Sequence, residues 1–526
     1  MFPAFFTVAL ATLVGAYFIY SPQVLASCGA NLTAASLSVA NLKYMLQGNY
    51  FTISPDAQPF LHYWSLSVEE QFYMFFPVLL YFVYLKANRY KTIILSWLCG
   101  TSLIACIALT HIEPAWAFFL LPTRAWELLA GSILAVIGGH YSPSGNRWKV
   151  LWASLSLIGM VVIAISLFVI GETAFPGYLA VFPVLGTICC IGPNNGPIGF
   201  SERLLSWKPM VLIGRMSYSL YLWHWPVFSL VDYRFYLSSS SDRIGLKVAL
   251  SLAATVACFF LVETPGRVFL NHPSRRRIAF AFLGCALLFC IPLGIIVRRT
   301  NYVNADIEDI RDGGLVFNES GKKGAMVLMG DSNGSMYAKM FKQTAYELDL
   351  RLNVISVAGE DALPQTSGHQ PQLWIDSLAV VKREKPDVLV LVCDWQAKLR
   401  GDNRRLEIAV NELRQSARHL ILITQPPALP ELASRESMRN GSRPPFREDP
   451  VKRAWRIEAN SLVKNASADN VIVIDIERLF TSDDGMVRVD DNAGNQFYDD
   501  SNHLSDIGAH IVKRQVLSAI EDRMRF

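Results

Sequence analysis

Two short runs in the charged C-terminal part of the chain carry the residue types of acyl transfer. Met329-Gly330-Asp331-Ser332-Asn333 sets a serine just after an apolar stretch, where a strand gives way to a helix. At such a turn the hydroxyl stands clear of the sheet, and the serine's own N–H points at an oxyanion forming on an acyl carbonyl. Tyr498-Asp499-Asp500-Ser501-Asn502-His503 sets a carboxylate three residues before a histidine. That spacing lets Asp500 orient the imidazole, which can then take the Ser332 proton. A lone Gly-Asp-Ser is ordinary turn chemistry. The two runs at opposite ends of one domain point to nucleophile, base and orienter.

A second set of ionisable groups lies in apolar surroundings, where an unpaired charge is costly and therefore a functional candidate. His62-Tyr63-Trp64-Ser65-Leu66-Ser67-Val68-Glu69-Glu70-Gln71 puts two carboxylates at the mouth of a span. Interfacial anchoring by Trp64 and Tyr73, with Glu69 and Glu70 in water, is the competing reading. Arg124 and Glu127 fall on one helix face at i,i+3. They form either a structural ion pair or a guanidinium site for an anionic ligand. Trp223-His224-Trp225 sits in mid-span among Tyr and Ser, as a core histidine or as the wall of a polar cavity. Glu263-Thr264-Pro265-Gly266-Arg267 reads as a helix stop with a capping ion pair.

The elements that position these groups divide sharply. Residues 1–298 hold 18 Lys+Arg and 10 Asp+Glu, whereas 299–526 hold 30 and 34. A sparsely charged, apolar part precedes a soluble one. A span needs about 20 mostly apolar residues, and such stretches lie at 2–20, 64–86, 92–111, 117–138, 150–171, 176–192, 211–232, 244–263 and 278–298. The amphipathic stretch 30–47 reads as a re-entrant or interfacial helix. Alternate loops carry eleven basic residues, among them Lys86, Arg89, Arg147, Lys149, Arg203 and Arg275–Arg277. The opposite loops carry Lys43, Arg234 and Arg243. By the positive-inside rule the N-terminus is cytoplasmic and residue 299 onward lies outside. Met1-Phe2-Pro3-Ala4 lacks the charged start of a signal peptide.

After a linker at 299–323, strands at 325–329, 352–357, 387–393, 419–424 and 471–475 alternate with helices at 334–348, 372–384, 405–418, 450–464 and 504–521. Alternation of this kind predicts a parallel sheet covered on both faces, with ligands at the carboxyl ends of the strands. The soluble part has no positive excess, so nucleic acid is not an expected partner. Cys393 is its only cysteine, so it has no internal disulfide, and CxxC metal spacing is absent. No metal site is expected.

The strings LHYWSLSVEEQFY (61–73), PTRAWELLAG (122–131), SYSLYLWHWP (217–226) and VETPGR (262–267) resemble the acyltransferase-3 family of membrane acyltransferases, in family order. Family members open with two further membrane helices, one carrying an Arg/Lys-then-His motif. Phe2-Pro3-Ala4 aligns with the third helix, so the resemblance implies a sequence printed without its first two helices, by truncation or by a misplaced start. The Gly-Asp-Ser and Asp-x-x-His blocks resemble the SGNH hydrolase superfamily. That resemblance makes Ser332 the nucleophile, His503 the base and Asp500 its orienter. It also places Gly359 in the second block, whose N–H joins that of Ser332 in the oxyanion hole. The third block, Gly-x-Asn-Asp, is replaced by Val392-Cys393-Asp394-Trp395-Gln396, with Asn333 as a substitute donor.

The fold class expected is therefore a polytopic α-helical membrane domain at 1–298, its last helix a connector, followed by an α/β/α SGNH (flavodoxin-like) domain at 324–526. The resemblance to fused members implies a bacterial inner-membrane O-acyltransferase whose C-terminal domain lies outside. The donor would be cytoplasmic acyl-CoA, most simply acetyl-CoA, with no bound cofactor. The acceptor would be a hydroxyl of a cell-surface polysaccharide or its lipid-linked precursor, foremost lipopolysaccharide O-antigen. Glu69, Glu70, Arg124, Glu127, Trp223 and His224 would line the donor and channel side, among membrane lipids. A membrane-tethered carbohydrate esterase, or a truncated inactive copy, is the alternative.

Overall fold

A computed structural model describes residues 2–47, 55–138, 146–171, 175–191, 200–301, 303, 305–491 and 494–523. Met1, the end of the span expected over 176–192 and linker positions 302 and 304 lie outside the described residues. So do the side chains of Arg147 and Lys149. The chain forms two compact bodies. One takes in Met1–Phe18, Ser27–Val231 and Gly245–Val297, and the other Ile19–Ala26, Asp232–Ile244 and Arg298–Phe526.

The first body is helical. Segments Phe2–Ile19, Tyr63–Ile112, Pro114–Ile137, Ser240–Leu270 and Pro273–Asn301 are long and apolar enough to cross a membrane, and Ser154–Val169 and Tyr178–Ile191 are shorter apolar helices. Three departures from the sequence reading have local causes. The span expected over 117–138 is broken into Pro114–Phe119 and Leu121–Gly138, with Leu120 extended between them. Pro122 lacks an N–H, and its ring clashes with the carbonyl four residues back, so a continuous helix is blocked. The span expected over 211–232 is a 27-residue helix, Lys208–Arg234, which is too polar to count among the long apolar segments. The stop expected at Glu263 is a π-turn, Phe259–Glu263, through which the helix continues to Leu270. The 30–47 stretch is helical in two pieces, Pro22–Ser36 and Ala40–Gln47.

The second body is built on a six-stranded sheet, with β1 (Leu315–Phe317), β2 (Ala325–Gly330), β3 (Arg351–Ser356), β4 (Val388–Val392), β5 (His419–Ile423) and β6 (Val471–Ile474) in the order β1-β3-β2-β4-β5-β6. All neighbours are parallel except β1, which runs antiparallel to β3. Every residue of β4, VLVLV, is buried, as a strand covered on both faces must be. Met326, Leu328, Val388 and Val390 pack under one layer with Phe341 and Val512. Val327, Met329, Leu389 and Leu391 pack under the other with Val381 and Leu413. Period-two alternation thus feeds two cores rather than one core and solvent.

β1 and the helix Ile307–Arg311 lie within the stretch expected to be linker. A three-residue, half-buried edge strand gives no alternation to read. It is held by Asn353, whose Nδ2 donates to the Gly313 carbonyl at 2.7 Å. Gly314, at φ +101°, would bring a Cβ to 2.0 Å from Asn353 Oδ1, so only glycine passes there. The chain leaves β2 toward β3 on one side and reaches β4 on the other. The topological switch point, where doubly wound sheets hold ligands, therefore falls at the carboxyl ends of β2 and β4.

Candidate active site

Ser332 opens the short helix Ser332–Ser335 directly after β2. The register sets Gly330 beside Ser356 of β3 and Val392 of β4. A Cβ on Gly330 would stand 1.9 Å from the Val392 carbonyl oxygen, so the glycine before the turn is sterically required. Asp331 is buried and acts as a clamp. Its Oδ1 accepts the Asn333 N–H at 2.8 Å, and its Oδ2 accepts the Asp394 N–H at 2.9 Å, joining the ends of β2 and β4 across the switch point. Burial pushes its carboxyl up to about 6, against those two hydrogen bonds.

His503 Nε2 lies 2.8 Å from Ser332 Oγ, and His503 Nδ1 lies 2.7 Å from Asp500 Oδ2. Asp500 Oδ1 accepts the backbone N–H of Asn502 at 2.9 Å and of His503 at 2.8 Å. The three-residue spacing thus folds the carboxylate back onto its own turn and fixes it against the ring. With a carboxylate at Nδ1, the ring proton sits on Nδ1 and Nε2 is left to accept from Ser332. The hydrogen bond to Asp500 holds the imidazole above its usual value, against burial. Burial pushes Asp500 up, but the bonds from His503 and Asn502 outweigh it and hold the carboxyl below the usual carboxylate range. The loop is anchored on both sides: Tyr498 Oη donates to the Pro427 carbonyl at 2.9 Å, and Leu504 N–H to Met336 Sδ at 3.2 Å. The arrangement can deprotonate Ser332 as it attacks a carbonyl, and return that proton to a leaving oxygen.

Two backbone donors stand at this edge. Among the described residues, neither the Ser332 N–H nor the Gly359 N–H bonds to a protein acceptor. Gly359 is exposed, at φ +85°, in the turn after β3. Asn333 differs from expectation. It is 1% exposed, and both its side-chain Oδ1 and Nδ2 are buried without a hydrogen-bond partner among the described residues. The tight turn that frees Ser332 rotates the next side chain inward, so Asn333 does not face the groove. The substituted third block instead works through its backbone and neighbours. Asp394 N–H meets Asp331, and Gln396 N–H donates to Gln425 Oε1 at 3.0 Å. Sequence reading missed Asp331 as a clamp and Gln425 altogether; the Gln-Pro-Pro after β5 was the available signal.

In the helical body, Arg124 and Glu127 form the expected i,i+3 ion pair at 3.2 Å. The guanidinium lies 5.7 Å from the ring centre of Trp64, with Phe118 and Phe175 at 5.6 and 5.7 Å. His224 Nδ1 is 2.6 Å from the Tyr221 carbonyl, and its ring centre is 5.7 Å from that of the buried His62. Tyr221 Oη donates to the His62 carbonyl at 2.8 Å and pairs with Ser65. Trp223 Nε1 is buried without a partner among the described residues. Glu69 and Glu70 are half-buried, one turn beyond this cluster on helix Tyr63–Ala87. Glu263 accepts from Ser219 Oγ at 2.5 Å and from Arg267 at 2.6 Å. Residues of the first motif thus meet the second through Trp64 and the third through His62. The His62–His224 approach has no signal in spacing, because the two are 162 positions apart.

Comparison with known families matches residues 2–263 to the acyltransferase domain and residues 300–518 to the SGNH domain that is fused to AT3 domains. Among curated proteins, the chain is 29% identical over 279 residues to the O-acetyltransferase OatA of Staphylococcus aureus, covering 50% of this chain and 44% of that one. It is 26% identical over 287 residues to the peptidoglycan O-acetyltransferase OatA of Listeria monocytogenes, covering 52% and 46%. The alignments span less than half the length of these relatives. With the two domains matched in order over most of its length, the chain belongs to the family of acyltransferase-3 membrane proteins fused to an SGNH domain.

Proposed function

We propose that the protein is an O-acyltransferase that moves an acetyl group from cytoplasmic acetyl-CoA, through the helical body, to a hydroxyl of a cell-surface glycan by way of an acyl-enzyme on Ser332. The observation that carries this reading is the chain Ser332 Oγ–His503 Nε2 and His503 Nδ1–Asp500, at 2.8 and 2.7 Å, in a protein whose other domain is an acyltransferase. His503 takes the Ser332 proton as Oγ attacks the acyl carbonyl. The oxyanion is met by the N–H groups of Ser332 and Gly359. Collapse expels the donor's leaving group with the proton from His503. A sugar hydroxyl, deprotonated in turn by His503, then attacks the acyl-serine, and the released Ser332 oxygen recovers the proton. Glu69, Glu70, Arg124, Glu127, Trp223 and His224 serve the donor side. In this reading the protein sits in the bacterial inner membrane, N-terminus cytoplasmic, with the SGNH domain outside.

We place the acceptor in lipopolysaccharide O-antigen. The printed name of the Listeria relative favours peptidoglycan as a second reading. Feeding labelled acetate to cells and measuring ester-linked label in both glycans decides between them. The expected result is label in the O-antigen that disappears with Ser332→Ala. Label confined to peptidoglycan selects the second reading, and unchanged label in Ser332→Ala cells overturns both.

A further inference from the structure

Beside the Ser332–His503 pair, at the carboxyl ends of β4 and β5, lies a cleft of about 270 Å³ that the steps above do not use. It shares a wall with the catalytic turn, because Ser501 and Asn502, the residues between Asp500 and His503, line it. Arg400, Lys452 and Trp455 also line it. The Arg400 guanidinium carbon lies 3.7 Å from the Trp455 ring centre, a cation–π contact that restrains the guanidinium against the indole. Among the described residues neither Arg400 nor Lys452 has an ion-pair partner. The lining also holds one carboxylate, Asp394, whose Oδ1 caps the next helix through the Ala397 N–H at 3.1 Å, so the two cations leave the lining with a net positive charge of one. The floor is Gln425, 3% exposed. Asn460 bonds its backbone N–H and carbonyl at 2.9 and 3.0 Å, and Gln396 holds its Oε1. Among the described residues Nε2 has no acceptor.

Two cations, one of them the Arg400 guanidinium held against Trp455, and a buried amide form a site for an anion attached to a polar ring. The volume suits a single sugar residue. We infer that this cleft is the acceptor subsite, and that it selects a glycan whose acetylated sugar, or its immediate neighbour, carries a carboxylate. The inference rests on the acyl-transfer reading for its role, but the site itself is testable by binding alone. The carboxylate meets Arg400 in a bidentate bond with Lys452 as second charge. Ring hydroxyls meet Gln425 and Asn502, and a hydroxyl is thereby presented to Ser332.

The experiment is calorimetric titration of the full-length protein in detergent with a galacturonic acid trimer, with its carboxyl-reduced galactose counterpart, and with glucose 1-phosphate. The acidic trimer is expected to bind about tenfold or more tightly than the neutral one, the worth of a charge-assisted pair. In Arg400→Gln/Lys452→Gln the preference falls to near unity while affinity for the neutral trimer is kept. Arg400→Lys, which keeps the charge and loses the fork, restores only part of it. Equal binding of the two trimers by the wild type, a preference that survives the double substitution, or tighter binding of the sugar phosphate overturns the inference. Because none of these readings depends on Ser332, a failure of acetyl transfer in cells is distinguishable from a failure of this subsite.

Discussion

Asp500→Asn tests the chemistry most directly. Three hydrogen bonds end on this carboxylate, two from its own backbone turn and one from His503 at 2.7 Å. An amide preserves the shape. If its Nδ2 faces the ring, His503 must carry its proton on Nε2, where Ser332 needs an acceptor. A hydrogen bond to a charged group contributes about 1.5–3 kcal/mol, and the imidazolium formed during attack also loses its countercharge. The Asp500 side chain is 56% exposed, so solvent screens part of that second loss. Together they amount to about 3–5 kcal/mol, a fall of roughly 10²–10⁴ in rate. The assay is hydrolysis of p-nitrophenyl acetate by the full-length protein in detergent, as kcat/KM against pH. A base works only when neutral, so the wild-type rate rises with pH through the raised His503 value. The bond to Asp500 is the largest cause of that raise and burial opposes it, so the substitution moves the inflection to lower pH. An unmoved inflection, or a loss smaller than about threefold, refutes the assignment of Asp500 as orienter.

Three further outcomes follow from the packing. Gly330→Ala forces a Cβ to 1.9 Å from the Val392 carbonyl and should cost about 1–3 kcal/mol or more, read as a lowered Tm with loss of ester hydrolysis; an unchanged Tm refutes the close approach. Arg456 and Glu448 form a buried pair at 2.8 Å, with side chains 1% and 3% exposed. Glu448→Gln leaves Arg456 only the quarter-exposed Glu477 at 3.3 Å and should therefore destabilise by about 3 kcal/mol, the low end for a broken buried pair, and Arg456→Met/Glu448→Leu should recover most of it. Denaturant midpoints check both, and a tolerated single substitution counts against a buried charge. Asp331 has its native value raised from 3.8 to about 6 by burial. Its contribution to stability is fully present below the unfolded value and is lost as pH rises through about 6, on the order of 3 kcal/mol. Asp331→Asn should remove that share of the fall in Tm over this range, and an identical pH profile speaks against it.

Much of the second body could be read in advance because its signals are local. Five strands and five helices follow from apolar runs separated by polar helical stretches, and the Asp500–His503 spacing encodes its own turn. What escaped lacked a local signal. β1 is three residues whose partners in β3 lie 35–39 positions away. The break at Leu120 hangs on one proline, and the π-turn at Phe259–Glu263 sits inside an otherwise continuous apolar helix. Asn333 was misplaced because its neighbour in sequence, Ser332, points the opposite way.

By itself the sequence determined the division into a sparsely charged helical part and a densely charged α/β part, and named Ser332, Asp500 and His503. Hydropathy, charge and turn chemistry are properties of short windows. Only the tertiary structure decided that His503 meets Ser332 across 171 residues, that Asp331 ties β2 to β4, and that Arg400, Gln425 and Trp455 border one cleft beside them. These depend on strand order. The reversal at β2 carries β3 and β4 to opposite sides, and so gathers at one sheet edge side chains that no window of the chain contains.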